Sequence, residues 1–457
     1  MSEQESQYRE YLSGKAQVSE SHGFKSVTHH RFLDGRFAFQ GALTEYALWK
    51  GRAQITADCG LGKTAIQLAW GDNVVRKTNG RVLLLTPIAV GWQTIAESHK
   101  FGIDDCSHDK AARIVVANYE RLHHFDKNDF VGVICDESSI LKNSKGKTRQ
   151  LVTEFMRAMP YRLLCTATAA PNDYMELGTA SEALGELGFQ DMVTKFFKQT
   201  DGDAFQGWGR LKYRLRDYAE RDFWRWVCSW MRACRKPSDV GDFSDDGFIL
   251  PELSVSEHVV QTKVKRDGFL FDTPAVTLDE QREDLRRTLT ERCEMAARFI
   301  IDHKGSSVAW CHLNAEGDLL HKLIPNSVHV SGSDSEELKE EKFRAFQSGS
   351  YSAMVTKASV AGFGLNWQHA NHFTSFPSHS FEQYYQSVRR LWRFGQTQRV
   401  YGRMITTEGQ SGVLANLQRK TTQAEVMFAR LIELMSNELT IERGRSFDKK
   451  IEVPTWL

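Results

Sequence analysis

Three groups of residues have the types and spacing to handle a polyphosphate. Ala57-Asp58-Cys59-Gly60-Leu61-Gly62-Lys63-Thr64 follows an apolar run and precedes a helical stretch. Gly60 and Gly62 would let backbone N–H groups approach phosphate oxygens, and a helix N-terminus adds positive potential there. Lys63 would neutralise the β and γ charges, and Thr64 would offer a hydroxyl to Mg2+. The first position holds Ala57 where the general pattern has glycine, and a GxGKT string by itself can be a chance loop. The second group, Asp136-Glu137, closes the apolar run Val131-Gly132-Val133-Ile134-Cys135. Two carboxylates delivered to one sheet edge suit a Mg2+-holding aspartate and a glutamate that orients an attacking water. An acidic helix start is the plainer alternative. The third group is Arg390 and Arg393, which on a helix project from one face toward a common target, unless they form a solvated basic face. The loop and the paired carboxylates together favour ATP hydrolysis, with ATP and Mg2+ as ligands.

Such groups need rigid elements to hold them. Between Arg52 and Gly188, β-branched runs alternate with helical stretches: Ile55 to Asp58, Val82 to Thr86, Ile114 to Ala117, Val131 to Cys135 and Arg162 to Thr166. That alternation predicts βαβ units and a parallel sheet with right-handed crossovers. A second series runs through Ser307 to Cys311, Val328 to Val330, Ala353 to Thr356 and His372 to Phe376. The expected fold class is therefore α/β, with two tandem parallel-sheet lobes at 31–188 and 252–408. A helical segment rich in tryptophan and arginine separates them at 189–251, an extension occupies 1–30, and a helical tail occupies 409–457. Gly241 to Gly247 marks a loop shortly before the second lobe. In the tail, Leu414, Leu417, Met427, Leu431 and Leu434 fall near helical spacing and predict packing along a lobe.

Composition narrows the class further. The 457 residues exceed the usual length of one domain, and 41% hydrophobic with 26% charged residues is ordinary for a globular chain. Basic and acidic residues number 59 and 58, so any nucleic-acid contact must arise from local clustering of Lys and Arg. The eight cysteines form no CxxC pair and have no histidines at zinc-finger spacing, which argues against structural zinc or a disulfide framework. Cys135 and Cys165 sit inside apolar runs and are expected in the core. Met1 to Glu10 is polar, and no run of about 18 apolar residues occurs, so a cytoplasmic location without a membrane is the expectation.

With these motifs in view, the chain from about Phe32 to Glu408 resembles a superfamily-two helicase-type ATPase, nearest to the Swi/Snf-like branch and to short phage-encoded DEAD/DEAH-box helicases. Asp58 to Thr64 is similar to that branch's DxGLGKT, and Asp136-Glu137-Ser138-Ser139 stands at the DExx position. Gln386-Ser387-Val388-Arg389-Arg390-Leu391-Trp392-Arg393-Phe394-Gly395-Gln396 resembles QxxxRxxRxGQ, which implies that Arg390 and Arg393 act as arginine fingers. The resemblance implies RecA-like lobes, and ATP contacts for Gln40, Gly364 and Gln386 beside Gly60, Gly62, Lys63 and Thr64. It places Thr86 (in Thr86-Pro87) and Asn118 (in Asn118-Tyr119-Glu120) at the nucleic-acid backbone. Thr166 is also placed there, in the element Thr166-Ala167-Thr168-Ala169-Ala170-Pro171-Asn172 that couples nucleotide state to lobe closure, and Ser359 in the stretch Ser359 to Asn366 that contacts both nucleotide and nucleic-acid backbone. Ser331-Gly332-Ser333 and Trp310-Cys311-His312 resemble further second-lobe elements, with His312 as a backbone contact.

The implied partner is nucleic acid, with DNA favoured, and the implied activity is translocation on duplex DNA driven by ATP hydrolysis. A strand-separating DNA or RNA helicase and an ATP-gated subunit of a restriction, defence or replication assembly are the alternatives. Because one chain carries both arginines, a monomer could be competent. Within 189–251, Arg210, Lys212, Arg214, Arg216, Arg221, Arg225, Arg232, Arg235 and Lys236 interleave with Trp208, Tyr213, Trp224, Trp226 and Trp230. Base stacking and phosphate contact suit such residues. Helical core spacing of Phe223, Trp226, Val227 and Trp230 favours burial of most of these aromatics instead.

Overall fold

The computed structural model describes residues 19–87, 90–142, 146–168, 174–200, 212–261, 278–361, 366–378 and 380–443. Two parallel sheets organise them. The first half contains β1 (Arg52–Ala57), β2 (Val82–Thr86), β3 (Cys106–Ser107), β4 (Ile114–Asn118), β5 (Gly132–Asp136) and β6 (Tyr161–Thr166), followed by β7 (Phe197–Thr200), β8 (Lys212–Leu215) and β9 (Met231–Cys234). Its helices are α1 (Ala38–Lys50), α2 (Lys63–Thr78), α3 (Gly91–Lys100), α4 (Lys147–Arg157), α5 (Leu177–Leu184), α6 (Phe189–Phe196) and α7 (Glu220–Trp230). The second half contains β10 (Leu253–Val260), β11 (Ser306–Cys311), β12 (Ser327–Val330), β13 (Ala353–Lys357), β14 (Ala370–Ser375) and β15 (Val400–Thr407). The helices there are α8 (Leu278–Arg287), α9 (Leu289–Asp302), α10 (Asn314–Leu323), α11 (Glu336–Gln347), α12 (Phe381–Leu391) and α13 (Ser411–Arg443).

The first sheet has seven strands in the order β3-β4-β2-β5-β6-β1-β9, and the second has six in the order β10-β15-β14-β11-β13-β12. All pairings within both are parallel, with β6 between β5 and β1. Strands covered on both faces need near-continuous apolar sequence, and Val82 to Leu85, Val133 to Cys135 and Leu163 to Cys165 are fully buried. The β-branched runs read from the sequence thus occupy the sheet interiors. Strands β10 and β15 pair with each other over eight residues and complete the second sheet.

The segment 189–251 departs from a purely helical insertion. It carries α6 and α7, but also the antiparallel hairpin β7-β8 and the strand β9. Strand β9 pairs with β1 from Gln54↔Met231 to Ala57↔Cys234 and so becomes the edge of the first sheet. Trp224, Trp226 and Trp230 are buried in the core beneath it, as the helical spacing of the apolar residues predicts. Trp208 and Arg210 lie outside the described residues. Arg232 is likewise buried, with its guanidinium 4.1 Å from the centre of the Tyr46 ring.

Helix α13 packs against both sheets' layers. Leu417 joins Phe381 and Met404 of the second half, whereas Met427, Phe428, Leu431 and Met435 join the core around α7 and β9. The described cysteines are free, and all but the half-buried Cys59 are buried. Among the described residues, no helix is long and apolar enough to cross a membrane.

Candidate nucleotide site between the lobes

The ends of β1, β5 and β6 bring the first-lobe residues together, at the carboxyl edge of the sheet where open α/β folds bind ligands. Residues 58–62 link β1 to α2, and Lys63 and Thr64 open that helix. Gly60 and Gly62 have φ of +90° and +81°, which L side chains rarely adopt. Close approach restricts them too. A Cβ on Gly62 would lie 2.2 Å from Gln40 Nε2, and one on Gly60 would lie 2.7 Å from Phe394 Cβ. Gln40 is buried, and its amide donates to the Leu61 carbonyl at 3.1 Å, so α1 is fastened to the loop. Lys63 Nζ donates to the Ala57 carbonyl at 2.9 Å.

Asp136 ends β5 and accepts from Gln67 Nε2 of α2 at 2.6 Å. Burial pushes its carboxyl up to about 6, and the Glu137 charge adds to this, while Gln67 and Lys63 oppose it. Glu137 has a φ of +51°, a left-handed backbone in a residue that is not glycine. Such a conformation is unfavourable and persists where surrounding structure holds it, often at functional sites. Here the hold is visible. Glu137 Oε1 accepts from Ser139 Oγ and from Thr166 Oγ1, each at 3.0 Å. A carboxylate aimed in this way can orient a water or hold its proton.

The second lobe faces this edge with α12 and the turn that follows it. Arg389 of α12 forms an ion pair with Asp58, and Tyr385 donates to the same carboxylate at 2.5 Å. Lys142 pairs with Glu382, a second ionic link between the halves. Arg390 is buried where Cys59, Arg393 and Glu137 act on its charge, and burial lowers it to about 10. Burial also lowers Arg393, whose electrostatic neighbours include Cys59, Glu97, Arg389 and Asp58. For Arg389 burial acts in the same direction, but Asp58 and Tyr385 outweigh it and the net shift is upward. An anion between Lys63 and these arginines would offset the cost of burying cations.

Arg390 and Arg393 do not share a helix face, contrary to the spacing argument. Helix α12 stops at Leu391, and Trp392 turns away with φ −94° and ψ 82°. Gln396 explains the stop: its amide donates to the carbonyls of Leu391, Gln368 and Ala370 at 3.0 to 3.1 Å. The final Gln of the motif therefore holds the turn that carries Arg393.

The remaining expected contacts divide. Gln386 Nε2 is buried with no hydrogen-bond partner among the described residues, as an amide awaiting a ligand would be. Lys63, Thr64 and the two carboxylates are residue types that fit ATP and Mg2+. Gly364 and Ala169 to Asn172 lie outside the described residues. Ser359 is exposed, and Asn118 caps a short 3-10 helix by accepting from Arg121 N at 3.0 Å. Thr86 and Thr166, expected at the nucleic-acid backbone, are both buried. Each ends a central strand, and Thr166 directs its hydroxyl to Glu137, so neither offers a surface contact in this arrangement. His312 is half-buried, with Nε2 3.1 Å from the Phe376 carbonyl.

Sequence reasoning missed Asp58 as an inter-lobe residue, together with Tyr385, Arg389 and the Lys142–Glu382 pair. The available signal was a carboxylate directly after a buried strand and an extra arginine beside Arg390.

No protein-family model matches the chain, and no curated protein matches its sequence. Among solved structures, S. cerevisiae Dbp5 bound to RNA and ADP BeF3 matches with a TM-score of 0.52 and 11% identity, over 86% of this chain and 93% of that one. The Sulfolobus solfataricus SWI2/SNF2 ATPase core in complex with dsDNA matches with a TM-score of 0.38 and 13% identity, over 92% of this chain and 97% of that one. The likeness to Dbp5 is one of fold: two tandem RecA-like lobes.

Proposed function

We propose that this chain is a nucleic-acid-stimulated ATPase that couples hydrolysis to movement on its track. The observation that carries this reading is the opposition across one cleft of the loop at Asp58 to Thr64, with Asp136 and Glu137 beside it, to buried Arg390 and Arg393. In this reading Lys63 binds the outer phosphates, and Thr64 and Asp136 would hold Mg2+. When bound, the ion would offset phosphate charge. Glu137 orients the attacking water, and Arg390 and Arg393 stabilise the charge that spreads over the transferred phosphoryl group.

DNA is the proposed track and translocation the proposed output, on the strength of the Swi/Snf-like motif order. A second reading, an RNA-dependent or strand-separating motor, draws support from the fold match to Dbp5, which was solved with RNA. Steady-state ATPase assays with single-stranded DNA, duplex DNA and RNA in parallel test the assignment. Strongest stimulation by duplex DNA, with triplex displacement and without duplex melting, is the expected result. Turnover that ignores every nucleic acid but answers to a protein partner would replace the motor with an ATP-gated subunit.

A further inference from the structure

Asp58 belongs to the phosphate loop by position but does something its neighbours do not. Its N–H donates to the Cys234 carbonyl of β9 at 3.0 Å, and its carbonyl accepts from Leu61 N at 3.2 Å. Its Oδ1 accepts from Cys59 N at 2.6 Å. One residue thus joins the end of β1, the edge strand and the turn of the loop. The same carboxylate reaches the second lobe, where Oδ1 accepts from the Tyr385 hydroxyl and Oδ2 pairs with Arg389. Both charged partners are under a tenth exposed, at 3% and 7%.

Arg389 is equally well tied on its own side. Its guanidinium lies 4.4 Å from the Trp392 ring centre and 5.3 Å from that of Tyr385, and Nη1 donates to the Trp392 carbonyl at 3.2 Å. Trp392 Nε1 in turn donates to the Pro251 carbonyl at 2.6 Å, next to the chain segment that joins the two halves. Arg389 directly precedes Arg390 and grips the carbonyl of the residue before Arg393. Fixing Arg389 against Asp58 therefore fixes the backbone on which both other arginines ride.

We propose that Asp58, Tyr385 and Arg389 form an inter-lobe clasp that registers α12 against the phosphate loop and thereby positions Arg390 and Arg393. They are positioning residues, and the proposal rests on the ATPase reading for its effect on turnover, though not for its effect on lobe closure. The clasp suits a closing device because separation returns both charges to water, whereas closure excludes water from a matched pair. Breaking one partner leaves the other buried and uncompensated, so loss of either side disfavours the closed arrangement.

The test combines kinetics with small-angle X-ray scattering on the full chain. R389M and D58N are each expected to lower kcat at saturating ATP and nucleic acid by about ten- to a hundredfold, with the ATP KM within about threefold of wild type. The double variant D58N/R389M is expected to lose no more than the worse single, since residues acting as one unit are not additive. R389K should recover part of the loss, and Y385F, which removes one hydroxyl and preserves the fold, should cost about three- to tenfold. Ligand-free R389M should also show a larger radius of gyration than wild type. Wild-type kcat in both single variants, or losses that multiply in the double, would overturn the clasp. If wild type hydrolyses no ATP with any nucleic acid, the motor reading fails while scattering still decides the clasp. An unchanged radius of gyration in R389M and D58N then sinks it. Should those two variants not fold, Y385F decides alone: wild-type kcat and wild-type dimensions reject the proposal.

Discussion

The two walls of the cleft are built by different means. The first-lobe wall is made from strand ends: β1, β5 and β6 terminate side by side, and the loop, Asp136-Glu137 and Thr166 follow directly from them. The second-lobe wall is made from one helix end and the turn after it, held by Gln396 and by Trp392 on Pro251. Carboxylates and loop backbone dominate the first, and Arg389, Arg390 and Arg393 dominate the second. Asp58 with Arg389, and Lys142 with Glu382, are points at which one wall directly neutralises the other. The difference teaches that the sheet edge sets chemistry locally, whereas the arginine wall acquires its position only by docking.

Experiments that remove one wall at a time test this division most severely. K63A and R393A should each abolish nucleic-acid-stimulated turnover, by about 10³-fold or more, while far-UV circular dichroism stays that of the folded chain. Near-normal phosphate release in either variant would remove that residue from the site. E137Q should lower kcat by about 10²- to 10⁴-fold and leave binding of a fluorescent ATP analogue intact. A proportional loss of binding would mean that Glu137 supports the loop instead of the chemistry.

Stability should separate the halves as well. Arg292 and Glu316 form a fully buried ion pair at 2.7 Å in the second lobe, away from the cleft-facing arginines. R292L should destabilise that lobe by about 3–5 kcal/mol, because Glu316 stays buried without an ionic partner and keeps only the His312 and Leu313 N–H groups. Urea unfolding followed by tryptophan fluorescence would show one transition moving to lower denaturant, and a concerted shift of the whole curve would show that the lobes unfold as one unit.

A further effect concerns pH and has opposite signs in the two lobes. Burial, aided by His303 and Arg403, lowers His372 from 6.5 to about 3. Between those values the unfolded chain binds more protons, so this group's contribution is complete above about pH 6.5 and is lost as pH falls. Asp136 is raised from 3.8 to about 6. The folded form binds more protons there, so stability from this group is lost as pH rises through that window. Each slope is bounded by about 1.4 kcal/mol per pH unit per group. H372N should flatten the acid-side loss and D136N the opposing trend, measured by urea midpoints from pH 4 to 7; unchanged midpoints in both would show that neither burial persists in solution.

The sheet strands were legible because runs such as Val82 to Leu85 and Leu163 to Cys165 must be buried on both faces, and that requirement is local. The buried tryptophans of α7 were legible for a similar reason, through helical periodicity. Strand β9 was not, since Met231 to Cys234 is short and becomes a strand only by pairing with β1. The same holds for the end of α12: Gln396 caps it from outside the helix, and no periodicity within Phe381 to Leu391 announces the stop.

What the sequence by itself determined is the chemical inventory of the cleft: a glycine-bearing loop with Lys63 and Thr64, two adjacent carboxylates, and arginines at fixed spacing. These depend on residue type and on neighbours a few positions away. Which carboxylate meets which arginine was decided only by tertiary structure. Asp58 and Arg389 stand 331 residues apart, and a contact of that kind is specified by how the two sheets dock, not by any local preference of the chain.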